Sequence, residues 1–406
     1  MKSTPAHPDT SRPSLWVAFA LALSVAISNG LARFAYGLVL PAMREDLSWT
    51  YSTAGLLNTA NAIGYMLGAF AGYAWLRNVD PVKLFRVGLA IVVVTLCATP
   101  LHDGMLYLSA MRALTGLGAP WLFSCGAALV AFIFADDPHR RGLAVGIYFS
   151  GGGLGMIISG LALPPLLEFA GSSAWRTSWY LIGGTSAALA ILPFCISSRA
   201  KISTAPILET VSDLPVRAYA LPLVAYVFCG AGSNVYLTFL AAWIADRGQP
   251  WYHVTLTWCV LGLGICLSPY IWGKALNTWP ATRTLGCSLL VTAAGVALSF
   301  VGVNEAVMFG SALLYGCALF IGPTAVTLLA RSTRPAQEWA KIVALFTMMF
   351  SVGQTFGPWI AGAISDRWGL SYGMGLVLLL LLAASAMANG PSEARRLARE
   401  FSAAAR

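Results

Sequence analysis

Two arginines stand where charge is least expected in this 406-residue chain. Arg33 lies in SNGLARFAY (28–36), inside an apolar run from Leu15 to Leu40, and Arg112 lies in LSAMRALTGLG (108–118), inside another. A guanidinium is permanently charged and presents a planar fork of donors that grips a carboxylate or phosphate through two parallel hydrogen bonds. Charge in a membrane span costs roughly 2.5 to 3.5 kcal/mol, so the two together oppose insertion by about 5 to 7 kcal/mol. Such a penalty implies a use. No acid is predicted at their depth: Glu45, Asp46, Asp103, Glu168, Asp246, Glu305 and Asp366 fall at outer edges and the other acids lie inside. The anion that two buried cations require is then expected to be a substrate. Two plainer readings stay open, namely that Glu168, following Pro164 and Pro165, bends inward to pair with one arginine, or that backbone carbonyls of broken helices bind the arginines and give them a structural role.

Helical spacing supplies neighbours. Arg33 shares a face with Ala26, Asn29, Gly30, Tyr36 and Gly37, and Arg112 shares one with Ser109, Thr115, Gly116 and Ala119, faces too small and polar for lipid. Counted along their helices, both arginines sit about 10 Å from the outer end at 1.5 Å per residue. Neutral substrate contacts are expected from Asn29 and Tyr36, from Asn58, Asn61 and Tyr65 on one face of the second helix, and from Asn234, Thr238, Tyr315 and Gln354 in the second half. Asn and Tyr in spans also bond neighbouring helices, which is the competing reading for each.

The elements that must hold these residues are membrane helices. The chain is 58% hydrophobic and 10% charged, against about 25% charged in a soluble domain. Apolar windows predict spans near 15–40, 52–76, 82–101, 105–134, 142–167, 177–198, 217–243, 252–273, 282–303, 306–330, 338–363 and 371–390. The polar interval divides the chain into a six-helix half at 1–198, a linker at 199–216, and a second half at 217–406 with a short basic tail. The first apolar run is too long for a cleaved signal and is expected to be retained.

Nineteen of the 25 cationic residues fall in predicted inner segments and four (Arg44, Arg176, Arg247 and Arg367) in outer loops. That bias places both termini in the cytoplasm and accounts for the net charge of +9 without nucleic acid. SGGGLG lacks the Lys-Ser/Thr ending of a phosphate loop, His7, His102, His139 and His253 are scattered, and no nucleophile faces a base. No cofactor, metal or enzymatic activity is expected. Trp49, Trp75, Trp175, Trp179, Trp251 and Trp279 fall near predicted helix ends and are expected in an interfacial belt.

The halves repeat. SNGLARF recurs weakly as SNVYLTF (233–239); Gly64 pairs with Gly264, Gly116 with Gly316, and Gly155 with Gly357, at offsets of 200 to 205. Thr238 and Ala312 stand at the repeat positions of Arg33 and Arg112. Duplicated halves with a central site are a habit of secondary transporters, and the four-residue glycine spacings, Gly151 and Gly155 among them, suit close helix packing.

On these residues the chain resembles the major facilitator superfamily. LSAMRALTGLG is similar to its fourth-helix arginine and glycine motif, GGGLGMIISG (151–160) and GPWIAG (357–362) look like its glycine-rich gating motif, and WRTSWYLIG resembles its outer loop. The loop GYAWLRNVDPVKLFR (72–86) departs from the family's cytoplasmic acidic motif, with Asp80 displaced and Pro81 in place of glycine; a cleaner copy, GAISDRWG (362–369), sits on the outer side. GLARFAYGLVLPAM and AGLLNTANAIGYMLGA are similar to the YbfB-like branch. The resemblance implies an all-α membrane fold of two pseudo-symmetric six-helix halves, with helices one and four lining a central cavity. It also implies gating at Gly151, Gly155, Gly357 and Pro358.

The expected function is secondary transport of a small solute, an organic anion by the arginine chemistry. Efflux of a neutral sugar or amphiphilic compound is the alternative, and a non-transporting sensor a more remote one. The expected partners are that substrate, a coupling proton or counter-anion, and membrane lipid, with the protein acting as a monomer in the inner membrane.

Overall fold

The computed structural model of the chain describes residues 14–75, 79–135, 137–198, 216–302, 304–334, 338–391, 394, 396 and 397. The proposed linker lies outside these but for Val216, as do residues 1–13 and most of the basic tail. Twelve long helices follow one another: α1 (Leu15–Asp46), α2 (Tyr51–Trp75), α3 (Pro81–Leu101), α4 (Met105–Ile133), α5 (Pro138–Ala170) and α6 (Trp175–Ser197), then α7 (Ala220–Ala245), α8 (Trp251–Thr278), α9 (Ala281–Val301), α10 (Glu305–Thr333), α11 (Trp339–Trp368) and α12 (Leu370–Asn389). No strand occurs among the described residues. Eleven of the helices are long and apolar enough to cross a membrane; α2, diluted by Asn58, Asn61 and its glycines, is long but less apolar. Large apolar side chains such as Phe70, Val94, Ile191, Leu263 and Leu379 point outward, where only lipid gives them an apolar surround. The protein is an integral membrane protein. An even number of helices puts Leu15, at the start of α1, and Asn389, at the end of α12, at one face, called proximal below, with the distal face opposite.

Chain punctuation follows local chemistry. Asp80 accepts from the Val82 amide at 2.8 Å and Pro81 opens α3, a cap and first-turn proline that fix a helix start. The displaced acid of the 72–86 loop therefore caps its own helix. Pro323 removes the amide that would bond the Leu319 carbonyl, and α10 breaks at Phe320.

The central pair is α1 and α7. In their most apolar windows 83% of residues are buried, against 33–56% in the other apolar spans. Glycines set the seams around them. A side chain on Gly64 would strike the Ala113 carbonyl and one on Gly116 the Asn61 carbonyl, so α2 and α4 lie backbone to backbone; their repeat mates Gly264 and Gly316 do the same for α8 and α10. Likewise Gly155 meets Ala26 and Gly30 of α1, and Gly357 meets Ala231 of α7 at 2.8 Å. The sequence repeat thus marks equivalent seams in the two sets of six helices. The two sets meet along α1 with α7, α2 with α11 and α5 with α8.

Candidate functional site

Arg33 owes its position to an irregular turn. From Ala26 to Phe34 helix α1 widens into a π-helix, with the Ala35 amide bonding the Gly30 carbonyl at 3.0 Å, five residues back. Such wide turns are rare and concentrate at functional sites. Gly30 lets α5 pack against this turn, because any side chain there would collide with Gly155 of α5. The widened turn carries Arg33 into the seam between the two sets of helices, where it is 8% exposed. Its Nη2 donates to Gln354 Oε1 of α11, and its guanidinium lies 5.2 Å from the centre of the Tyr65 ring.

Arg112 is buried more deeply, at 1% exposure. Nη1 donates to the Ala32 carbonyl inside the π segment and Nη2 reaches Asn58 Oδ1 at 3.4 Å, while Nε has no partner. Two aromatic faces flank it, Tyr36 at 4.9 Å and Trp179 at 5.6 Å, each capable of about 0.5 to 2 kcal/mol of cation–π attraction as water is excluded. Glu168 is exposed. Among the described residues no carboxylate pairs with either arginine. The backbone-carbonyl reading is realised at Arg112, and Arg33 is bonded only to a neutral amide.

Five expected contacts gather here. Asn58 donates to Thr238 Oγ1 across the seam, Asn234 Nδ2 donates to the Gln354 carbonyl at 3.2 Å, and Gln354 and Tyr65 attend Arg33. Arg33, Asn58, Asn234 and Thr238 wall a recess with Phe34, Gly37 and Leu237, and their side chains fill it to the exclusion of a water-sized molecule. At this recess the described polar side chains bond one another across the seam between the two sets.

Other expected contacts serve elsewhere. Asn29 bonds Ser28 Oγ at 3.2 Å, Asn61 bonds the Arg112 carbonyl at 3.0 Å and ties α2 to α4, and the Tyr36 hydroxyl bonds the Ala54 carbonyl at 2.6 Å. Tyr315 donates to the Ser233 carbonyl at 2.8 Å and stacks on Tyr236 with centroids 4.1 Å apart. Of the expected gating residues, Gly151 meets Ala22, Gly155 meets Ala26 and Gly357 meets Ala231, all within their own set of six helices. Pro358 lies on the seam: its carbonyl is 2.6 Å from where a Gly55 side chain would begin. Four glycines of α5 meet the other set: Gly153 lies against the Gly262 backbone and Cys266 of α8, Gly146 and Gly160 against α8 side chains, and Gly152 against Phe320 of α10.

Trp179 and Trp175 leave the interfacial belt expected for them. Both are fully buried; Trp175 Nε1 donates to Asp46 Oδ2 at 2.7 Å and the Trp179 ring lies 6.5 Å from that of Tyr36. Proximity to a helix end misled, because α6 tucks its first turns against α1. Their four-residue spacing, which puts both on one face, was the signal for burial. Phe320, at the break in α10, was also missed; it lies 6.2 Å from Phe123 and 6.3 Å from Phe34, an aromatic plug between the sets.

Comparison with known proteins agrees with this architecture. The family described as "Uncharacterised MFS-type transporter YbfB" matches residues 25–390. The inner membrane transport protein YdhP of Escherichia coli (strain K12) is 23% identical over 378 residues, covering 90% of this chain and 93% of YdhP. The vesicular acetylcholine transporter of Rattus norvegicus is 27% identical over 332 residues, covering 72% of this chain, which spans 58% of that protein's length. Among solved structures, a bacterial homolog of the human lysosomal transporter Spinster, inward-facing and unoccupied, superimposes with a TM-score of 0.68 at 16% identity, covering 96% of this chain and 97% of its own. The nucleoside transporter NupG gives a TM-score of 0.68 at 12% identity, covering 95% and 99%. With residues 25–390 matched and twelve helices paired around α1 and α7, the chain belongs to the YbfB family of MFS-type transporters.

Proposed function

We propose that the protein is a secondary active transporter that moves a small organic anion across the inner membrane by alternating access, as a monomer with its proximal face cytoplasmic. The reading rests on one observation: Arg33 and Arg112 are buried in the bundle with only neutral oxygens and aromatic faces around them. Two cations with no carboxylate partner among the described residues leave a site short of negative charge, and a carboxylate can accept from a guanidinium fork more strongly than an amide oxygen. An entering anion takes the place of Gln354 Oε1 on Arg33 and thereby loosens the bond between α1 and α11. Asn234 and Thr238, on the other wall, offer neutral hydrogen bonds to the rest of the solute. Rocking of the two halves proceeds about seams where Pro358 and Gly153 let backbones touch, with Gly151, Gly155 and Gly357 keeping each half compact as it moves.

Acetylcholine, named in the vesicular relatives, is a cation and would face two positive charges here. A nucleoside, named for NupG, is neutral and would leave both arginines uncompensated. Arginine does not release a proton, and no carboxylate among the described residues reaches the site, so exchange against a counter-anion fits better than proton coupling through this cluster. The test is uptake of labelled carboxylates by proteoliposomes. Arg33→Gln is expected to lower sub-saturating uptake about ten- to hundredfold, the loss of one charge-assisted contact at roughly 1.4 kcal/mol per factor of ten. Equal rates in the variant and the parent sink the anion reading.

A further inference from the structure

The acidic motif GAISDRWG (362–369), displaced from its usual place, converges with a second acid on the first turn of α2. Asp366 Oδ1 accepts from the Tyr51 amide at 2.7 Å and Oδ2 from the Ser52 amide at 2.9 Å. The Tyr51 hydroxyl in turn donates to Asp246 Oδ2 at 2.9 Å, and the Arg44 guanidinium sits 3.8 Å above the Tyr51 ring. Four helix ends meet at this point of the distal face: the end of α1 and the start of α2 from one set, the ends of α7 and α11 from the other.

Both acids stand where their own helices disfavour them. Asp366 is in the last turn of α11 and Asp246 is the C-terminal cap of α7, the negative ends of those helix dipoles. Each is directed instead to the opposite set of helices, and Asp366 binds the free amides at the positive end of α2, where a carboxylate is favoured. Gly362 makes the reach possible. It lies one turn before Asp366 on the same face, and a side chain there would come within 2.6 Å of the Tyr51 carbonyl and 2.8 Å of Ser52 Cα. The contact joins the two halves directly and does not involve Arg33.

We propose that Asp366 and Asp246 form a latch that holds the distal face shut, and that each transport cycle breaks it. Asp366 is a positioning residue: it sets how long the central site stays closed on that side without touching the solute. The latch is independent of the substrate assigned above, and its test needs none.

The experiment places a single cysteine in the recess, Leu237→Cys in an otherwise cysteine-free chain, and measures its labelling by a membrane-impermeant maleimide in vesicles that expose the distal face. Asp366→Ala is expected to raise the labelling rate about tenfold, the shift produced by losing a charged cap, and Tyr51→Phe, which removes only the bond to Asp246, by less. Asp103→Asn is the control, because that acid pairs at 2.7 Å with Arg176 of its own half, and it should leave the rate unchanged. Labelling in Asp366→Ala and Tyr51→Phe no faster than in the parent overturns the latch, as does an equal rise in Asp103→Asn. A folded population is verified in each by its elution profile, and Asp366→Asn, which keeps one acceptor oxygen, supplies an intermediate rate if Asp366→Ala fails to fold.

Discussion

The two arginines divide their work by their partners. Arg33 has one side-chain acceptor, on the opposite set of helices, and an aromatic neighbour; Arg112 is fixed by a main-chain carbonyl, an asparagine and two rings. Removing a buried donor leaves its acceptors unsatisfied at about 1 to 3 kcal/mol. Arg112→Gln is therefore expected to lower the apparent melting temperature of the purified protein clearly, while Arg33→Gln, whose acceptor can turn to other donors in a closing seam, changes it little. Thermal unfolding of the two variants side by side decides the matter, and equal losses contradict this division. The charge of both residues was legible in the sequence, since a guanidinium in an apolar run needs no structure to be noticed. Their partners were not: Gln354 is 321 residues from Arg33, and whether they meet depends on the rotation of both helices.

At the scale of elements, the seams were the most legible feature and the π segment the least. Glycines at four-residue spacing announce close helix contact, and Gly64 with Gly68, Gly151 with Gly155 and Gly353 with Gly357 all lie on such contacts. The widened turn at Ala26–Phe34 leaves hydropathy and helical spacing almost unchanged, so a regular helix was the natural expectation there. The packing of α5 against it at Gly30 is testable. Gly30→Val or Gly155→Val inserts atoms where backbones already touch, an overpacking cost of about 1 to 3 kcal/mol or more. Gly184→Ala adds a methyl in open space and should be silent. Fluorescence-detected size exclusion of fusion proteins reports the outcome, and a monodisperse, fully expressed Gly30→Val would show that the α1–α5 contact tolerates a side chain there.

For the whole molecule, the distal halves of α2 and α11 are pressed together through Gly55 and Pro358, and Thr59 Oγ1 bonds the Thr355 carbonyl at 2.6 Å below them. If alternating access requires this seam to part, a Gly55→Cys, Pro358→Cys pair in a cysteine-free chain should cross-link on oxidation and stop transport, with reduction restoring it. Unimpaired transport by the cross-linked protein would place the moving seam elsewhere.

The sequence by itself determined how many helices there are, which are paired by repetition and where charge interrupts apolar surface. Each of these is set by hydropathy and periodicity, which act over one or two helical turns and need no knowledge of distant segments. Only the tertiary structure decided that α1 opens into a π turn at Arg33, that Trp175 and Trp179 go inward, that Gln354 meets Arg33 and Asn58 meets Thr238, and that Asp366 reaches across to α2. Those outcomes depend on helix rotation and close backbone approach between segments far apart in the chain, where small packing differences select one pairing among many that share the same pattern.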